Sequence, residues 1–334
     1  VSLLRRQALL PAALLALVAI GCSQSAAPVD SKASADGGAS SSGGKRTIVM
    51  IPKATQSAFW NAVRRGGEKA AEEFDVELLW KGPSRENDRA GQKQVVQQFT
   101  NSGVAGMLLA PTDSKALAAE VRTATEKGLP VLIFDSAVEG EAGKDYISFV
   151  ATDNTAAGKL GGKHLMELVG KGGKTICFRH MEGHESTTKR EDGAIEEMKA
   201  GGAEILVDDR YTGDSAAEAQ TTALNMIDVI READGIFASN QTASEGLLLA
   251  LRKTNLVGKV KVIAFDASPL LVEALRSGEI DAIVIQDPVN MGYQSVKLML
   301  DHLDGKPVDP LVVTDVKLAT KENMDDPAIK PLLE

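Results

Sequence analysis

The chain has 334 residues, 43% of them hydrophobic, which is enough for more than one domain with a substantial core. Its net charge of −9 argues against the clustered basic surface that nucleic acid or anionic lipid requires. Only two cysteines, Cys22 and Cys177, are present, and this excludes a disulfide framework.

Arg5 and Arg6 precede an apolar run from Ala8 to Ile20 that is too short to span a bilayer and has the layout of a secretory signal. The run ends at Ala19-Ile20-Gly21-Cys22, which resembles the lipobox of bacterial lipoproteins. It implies a signal peptide over 1–22 and a protein held in the periplasm or at the cell surface by a lipid on Cys22. Residues 23–45 are rich in Ser, Ala and Gly, cannot bury enough apolar surface to fold, and read as a flexible tether.

From Thr47 onward short apolar runs alternate with helical patterns, the signature of βαβ units and a parallel sheet, so the class is α/β. Strands are expected near 47–51, 76–80, 105–110, 131–134 and 147–150, with helices near 58–74, 87–102, 114–127 and 154–169. A second set of strands is expected near 175–179, 204–207, 235–238, 260–265 and 281–285, with helices near 187–200, 215–232, 242–254 and 268–277. Cys177 lies inside one of these strands and reads as a buried structural thiol. A helix from Pro288 to Leu303 and a last strand near 311–318 close the pattern. Five βα units followed by five more, with no linker between them, imply two similar lobes and a hinge.

Strand after strand runs out onto a polar or aromatic residue: Lys53 and then Phe59-Trp60, Thr112-Asp113, Asp135, Asn240, Asp266 and Gln286. In open α/β sheets ligands bind outside the carboxyl ends of the strands, so these residues are expected to converge on one crevice. Thr112 and Asp113 suit the turn that starts their helix, and Met181 to Glu185 suit the rim of the crevice. His180 and His184 are four apart, but Gly183 interrupts the helix that would face them together, so no metal site is expected. Gly173-Lys174-Thr175 lacks the earlier glycine of a P-loop, and no dinucleotide fingerprint follows the first strand. No cofactor and no catalytic residue are expected.

Ala58-Phe59-Trp60, Ala110-Pro111-Thr112-Asp113-Ser114, Phe134-Asp135, Ala151-Thr152-Asp153-Asn154, Thr188-Lys189-Arg190-Glu191-Asp192-Gly193, Ala238-Ser239-Asn240, Ala264-Phe265-Asp266 and Ile285-Gln286-Asp287-Pro288 follow one another in an order that resembles a known family. It is that of the periplasmic sugar-binding proteins of ABC transporters, of the ribose-binding type. The resemblance covers nearly everything after Lys45. It implies the type I periplasmic binding protein fold, with two Rossmann-like lobes joined by three crossing strands near 150–154, 285–288 and 313–317. The lobes would comprise 46–152 plus 287–314 and 153–286 plus 315–334.

By position, the resemblance makes Phe59, Trp60, Asp135, Thr152, Arg190, Asn240, Phe265, Asp266 and Gln286 ligand contacts. Lys53, just beyond the first strand, is placed to reach a sugar oxygen. Such residues suit a monosaccharide, whose C–H faces stack on aromatic rings and whose hydroxyls bond planar polar groups. Lys53, Ser57 and Ala110 depart from the ribose-binding pattern, and Gly213 falls near a family aromatic wall, so a sugar other than ribose is open. The implied partners are an ABC permease and the membrane, reached by a monomer. A chemotaxis or kinase receptor for a sugar or autoinducer is the alternative. A glycosidase using Asp135 and Asp266, and a DNA-binding regulator with the same sensor fold, are weaker rivals.

Overall fold

The computed structural model describes residues 45–334. The signal segment, Cys22 and nearly all of the tether lie outside the described residues. The first lobe opens with β1 (Thr47–Ile51), α1 (Ala58–Glu73), β2 (Glu77–Trp80), α2 (Arg89–Thr100), β3 (Gly106–Leu109), α3 (Ala118–Glu126), β4 (Val131–Phe134) and β5 (Phe149–Thr152). The second contains α4 (Asn154–Val169), β6 (Lys174–Phe178), α5 (Glu185–Ala200), β7 (Glu204–Val207), α6 (Ala216–Asn225), α7 (Ile227–Glu232), β8 (Gly235–Ala238), α8 (Gln241–Thr254), β9 (Lys261–Phe265), α9 (Pro269–Ser277) and β10 (Ala282–Gln286). The chain ends with α10 (Pro288–Leu303), β11 (Leu311–Thr314), β12 (Val316–Thr320) and α11 (Lys330–Leu333).

The strands form two six-stranded sheets, ordered β11-β5-β4-β3-β1-β2 and β12-β10-β9-β8-β6-β7. Adding five to each of β1–β5 turns the first order into the second, so the lobes repeat one topology. All pairings are parallel except that of β10 with β12. Parallel strands buried on both faces must be apolar at consecutive positions. In β1, Ile48 and Met50 enter one core cluster while Val49 and Ile51 enter the cluster on the opposite face. Cys177 of β6 is buried, between Ile176 and Phe178 that face the other way.

The chain passes between the sheets three times. It leaves β5 for α4, which packs on α5; it leaves β10 for α10, which packs on α1; and it goes from β11 in one sheet to β12 in the other. The single strand expected over 311–318 is therefore two strands in different sheets, divided at Asp315. The helix expected over 215–232 is also two. Met226 ends α6 with its N–H turned to the carbonyls of Thr222, Ala223 and Leu224, and the chain restarts as α7 so that Ile230 enters the core. A one-residue break of this kind leaves the apolar period nearly intact, which is why periodicity does not reveal it.

Both helix pairs depend on glycine for close approach. A methyl group on Gly158 of α4 would lie 2.0 Å from the carbonyl oxygen of Arg190 in α5, and one on Gly66 of α1 would lie 1.9 Å from that of Val289 in α10. Gly158→Ala is thus expected to push α4 off α5 and destabilise the protein by about 1–3 kcal/mol, the usual cost of overpacking. The urea unfolding midpoint measures this, and an unshifted midpoint would contradict the close packing.

Candidate functional site

The order of each sheet reverses between β1 and β3, or between β6 and β8, and the crevice of an open α/β sheet forms at such a switch. Asp135 and Asp266 directly follow β4 and β9, the equivalent strands of the two sheets. Both are left-handed, with φ of +63° and +66°, a region few residues other than glycine, Asn and Asp enter. Each peptide N–H donates to the next strand, Asp135 to the Val150 carbonyl and Asp266 to that of Val284, both at 2.9 Å. These turns aim both carboxylates into the gap between the lobes.

Eight of the ten expected ligand contacts line one small cavity there: Lys53, Phe59, Trp60, Asp135, Arg190, Asn240, Asp266 and Gln286. Glu86, Ser186 and Thr187 complete it. Its volume is about 30 Å³, because the polar side chains close on one another. Lys53 Nζ lies 2.7 Å from Asp135 Oδ2 and donates to Ser136 Oγ at 2.6 Å and, across the gap, to Ser186 Oγ at 3.0 Å. Gln286 Nε2 donates to Asp266 Oδ1 at 2.6 Å, and the Asp266 Oδ2 accepts the Gln241 N–H. Burial raises the Asp266 pKa, although Arg190 and the Gln286 bond oppose the shift.

The other two expected contacts stand behind the cavity wall. Phe265 is fully buried, edge-on to Phe237, with the Arg190 guanidinium 4.1 Å above its ring. As the last residue of β9 it points into the core, while Asp266 turns into the cleft, so it serves as a floor for Arg190 instead of a stacking surface. Thr152 donates to Gln286 Oε1 at 2.8 Å and adjoins Thr314 Oγ1, tying two of the crossing segments together. Arg190 is further fixed by Asn154 Oδ1 at 2.7 Å and the Ser239 carbonyl. Asn240 caps α8 by accepting the Ala243 N–H at its Oδ1, which leaves its amide NH₂ available to the cavity.

A hollow of about 440 Å³ shares Phe59, Trp60, Glu86, Asn240 and Asp266 with the cavity and continues past Ser215 and Gln241. At its edge Arg85 bonds Asp214 and Glu218 across the lobes, and elsewhere the lobes are joined by Arg89 with the Glu182 carbonyl and by the Ala137 N–H with Glu185 Oε2. Glu182 and Glu185 thus lie where the lobes meet, whereas His184, expected at the rim with them, is fully buried. Asp113 Oδ1 accepts the N–H groups of Lys115 and Ala116, the turn expected of it.

Glu86, absent from the sequence reading, comes from the loop between β2 and α2. It accepts Trp60 Nε1–H at 2.7 Å on Oε1, and its Oε2 lies 3.1 Å from His180 Nε2 and 3.4 Å from His184 Nδ1. The expectation that Gly183 keeps the two histidines apart fails. Gly183 adopts φ +87°, a tight turn that folds His184 back over the end of β6, and the rings meet edge to face 5.1 Å apart. Burial pushes His184 down to about 4, so its imidazole is neutral at pH 7. Burial by itself raises the Glu86 pKa, but the neighbouring His180 and His184 rings hold the carboxyl well below its ordinary range. No local sequence signal marks Glu86, which lies 94 residues before His180.

Residues 48–307 match the model of the periplasmic binding protein domain. The D-allose-binding periplasmic protein of Escherichia coli (strain K12) is 27% identical over 79% of this chain and 86% of its own length. The ribose import binding protein of the same organism is 26% identical over 83% of this chain and 92% of its own. Among solved structures, an ABC transporter solute binding protein from Agrobacterium vitis with bound D-fucose superposes with a TM-score of 0.83 at 31% identity, covering 86% of this chain and 100% of that one. With a match of this length, and with two lobes that repeat one topology around a shared cleft, the chain belongs to the periplasmic binding protein family.

Proposed function

We propose that the protein is an extracytoplasmic receptor that captures a neutral monosaccharide between its lobes and presents it to an ABC permease. The convergence of eight polar and aromatic residues from both lobes on one interlobe cavity carries this reading. Two cations, Lys53 and Arg190, face three carboxylates, Glu86, Asp135 and Asp266, so the lining charges nearly cancel. A charged solute would lose its hydration without matching compensation, whereas sugar hydroxyls can replace the bonds these groups now make with one another. The relatives bind, by their names, allose and ribose, and the superposed structure holds fucose, all of them sugars with several hydroxyls.

The lobes of the proposal are 46–152 plus 287–314 and 153–286 plus 315–334, hinged at the three crossings. Sugar contacts from both lobes favour the closed over the open form, and that difference in affinity turns binding into a shape the permease can read. Phe59 and Trp60, at the start of α1, offer apolar surface to the sugar ring, while Lys53, Asp135, Arg190, Asn240, Asp266 and Gln286 bond its hydroxyls. The proposal includes a monomer attached to the membrane through lipid on Cys22, with residues 23–45 as tether. It assigns these carboxylates to binding and not to catalysis.

A thermal-shift screen over pentoses, hexoses, deoxysugars and polyols tests the reading: one sugar is expected to raise the melting temperature with increasing concentration. Asp135→Ala and Arg190→Ala are each expected to weaken that sugar by about 1–3 kcal/mol, the cost of leaving a buried partner unpaired. Calorimetric titration giving wild-type affinity for both variants would refute the site. Tryptophan emission should change on binding because Trp60 lines the cavity.

The buried Lys53–Asp135 pair generates a separate expectation. Lys53→Met strands the Asp135 carboxylate and should cost about 3–5 kcal/mol of stability in urea unfolding. Lys53→Met combined with Asp135→Leu should recover most of that loss without recovering sugar binding. A double variant that binds sugar normally would exclude the pair from recognition.

A further inference from the structure

The binding reading uses neither His180 nor His184, yet both rings are fully buried beside the cavity. His184 Nδ1, the ring nitrogen that faces Glu86, has no hydrogen-bond partner among the described residues, and His180 Nε2 has only the same Glu86 Oε2. An imidazole buried without partners loses the bonds it made to water, so such a group calls for a ligand of another kind. The donor atoms of Glu86, His180 and His184 all lie within 4.8 Å of one another. Glu86 Oε2 is 3.1 Å from His180 Nε2 and 3.4 Å from His184 Nδ1. Around a tetrahedral ion bound at about 2.0–2.1 Å, ligand atoms stand roughly 3.3 Å apart, so the two distances from Glu86 Oε2 fit neighbouring positions of one coordination sphere.

From this geometry we propose that Glu86, His180 and His184 bind a divalent transition ion of the zinc class, and that the ion clamps the two lobes together. Two imidazoles and one carboxylate suit such an ion and leave a fourth position for water. The supporting bonds are present. Trp60 Nε1–H holds Glu86 Oε1, which leaves Oε2 to face the rings, and Glu191 Oε1 accepts the His180 peptide N–H and fixes its loop. Asp135 neutralises the nearby Lys53 ammonium, which would otherwise repel a cation. Glu86 belongs to the first lobe and the histidines to the second, so the ion binds the closed form best. Linkage then requires it to raise sugar affinity by the factor by which sugar raises its own. This last step rests on the sugar-receptor reading, whereas ion binding does not.

The purified protein, stripped with chelator, is titrated calorimetrically with Zn²⁺ and spectroscopically with Co²⁺. The expected result is one ion per chain, with the intense visible bands of tetrahedral cobalt. His180→Gln and His184→Gln should each weaken Zn²⁺ at least tenfold. Cobalt bands that remain octahedral in the wild-type protein would overturn the site without any variant, as would Zn²⁺ binding unchanged in both variants. The best sugar is then titrated with chelator and with Zn²⁺. A sugar affinity at least threefold higher with Zn²⁺, the gain disappearing in His180→Gln, supports the clamp, and equal affinities overturn it. Sugar binding in chelator with no ion site defeats only this proposal. An ion site in a protein that binds no sugar leaves the site standing and defeats the receptor reading.

Discussion

Burying charge between two lobes is costly unless every charged group finds a partner, and the construction of this cleft follows from that constraint. Lys53 is held by Asp135, Ser136 and Ser186, Asp266 by Gln286 and the Gln241 N–H, and Arg190 by Asn154, the Ser239 carbonyl and the face of Phe265. Many of these partners come from a different element, and Ser186 from the other lobe. The polar lining is therefore a network whose members constrain one another, and a solute must replace several of its bonds at once to enter. Such a demand rejects an analogue that lacks one hydroxyl more strongly than apolar contact does.

The repeat of topology gives the network its symmetry. Each sheet carries an Asp just after its fourth strand in chain order, in the same left-handed conformation, and each next strand ends on a side chain, Thr152 or Gln286, that is bonded to the other. Left-handed backbone at a residue other than glycine is mildly strained and persists where its surroundings hold it in place. Here the Val150 and Val284 carbonyls hold the two turns. Behind them, glycines at the α1–α10 and α4–α5 crossings let helix backbones touch, so a packing contact far from solvent also positions the Arg190 backbone.

Much of this was legible along the chain. Alternating apolar runs and helical patterns identify the parallel α/β class, and the polar residue beyond each run marks the crevice, because a strand buried on both faces can change to polar only where it leaves the sheet. Eight of the ten named residues reach the cavity. Phe265 and Thr152 do not, whereas Gln286, also the last residue of its strand, does, so position at a strand end does not by itself decide between cleft and core. The breaks at Met226 and Asp315 were not legible either, because one residue of irregular backbone hardly disturbs an apolar period.

Glu86 and the histidines show the boundary most clearly. The sequence by itself determined the fold class, the repeated half and the strand ends that supply the polar lining, because these depend on short-range patterns of burial. Only the tertiary structure decided which of those side chains face one another, that His180 and His184 meet through a glycine turn without a helix, and that a loop carboxylate from the other lobe lies between them. Contacts between residues far apart in the chain depend on how the two lobes pack, and no local period records that distance.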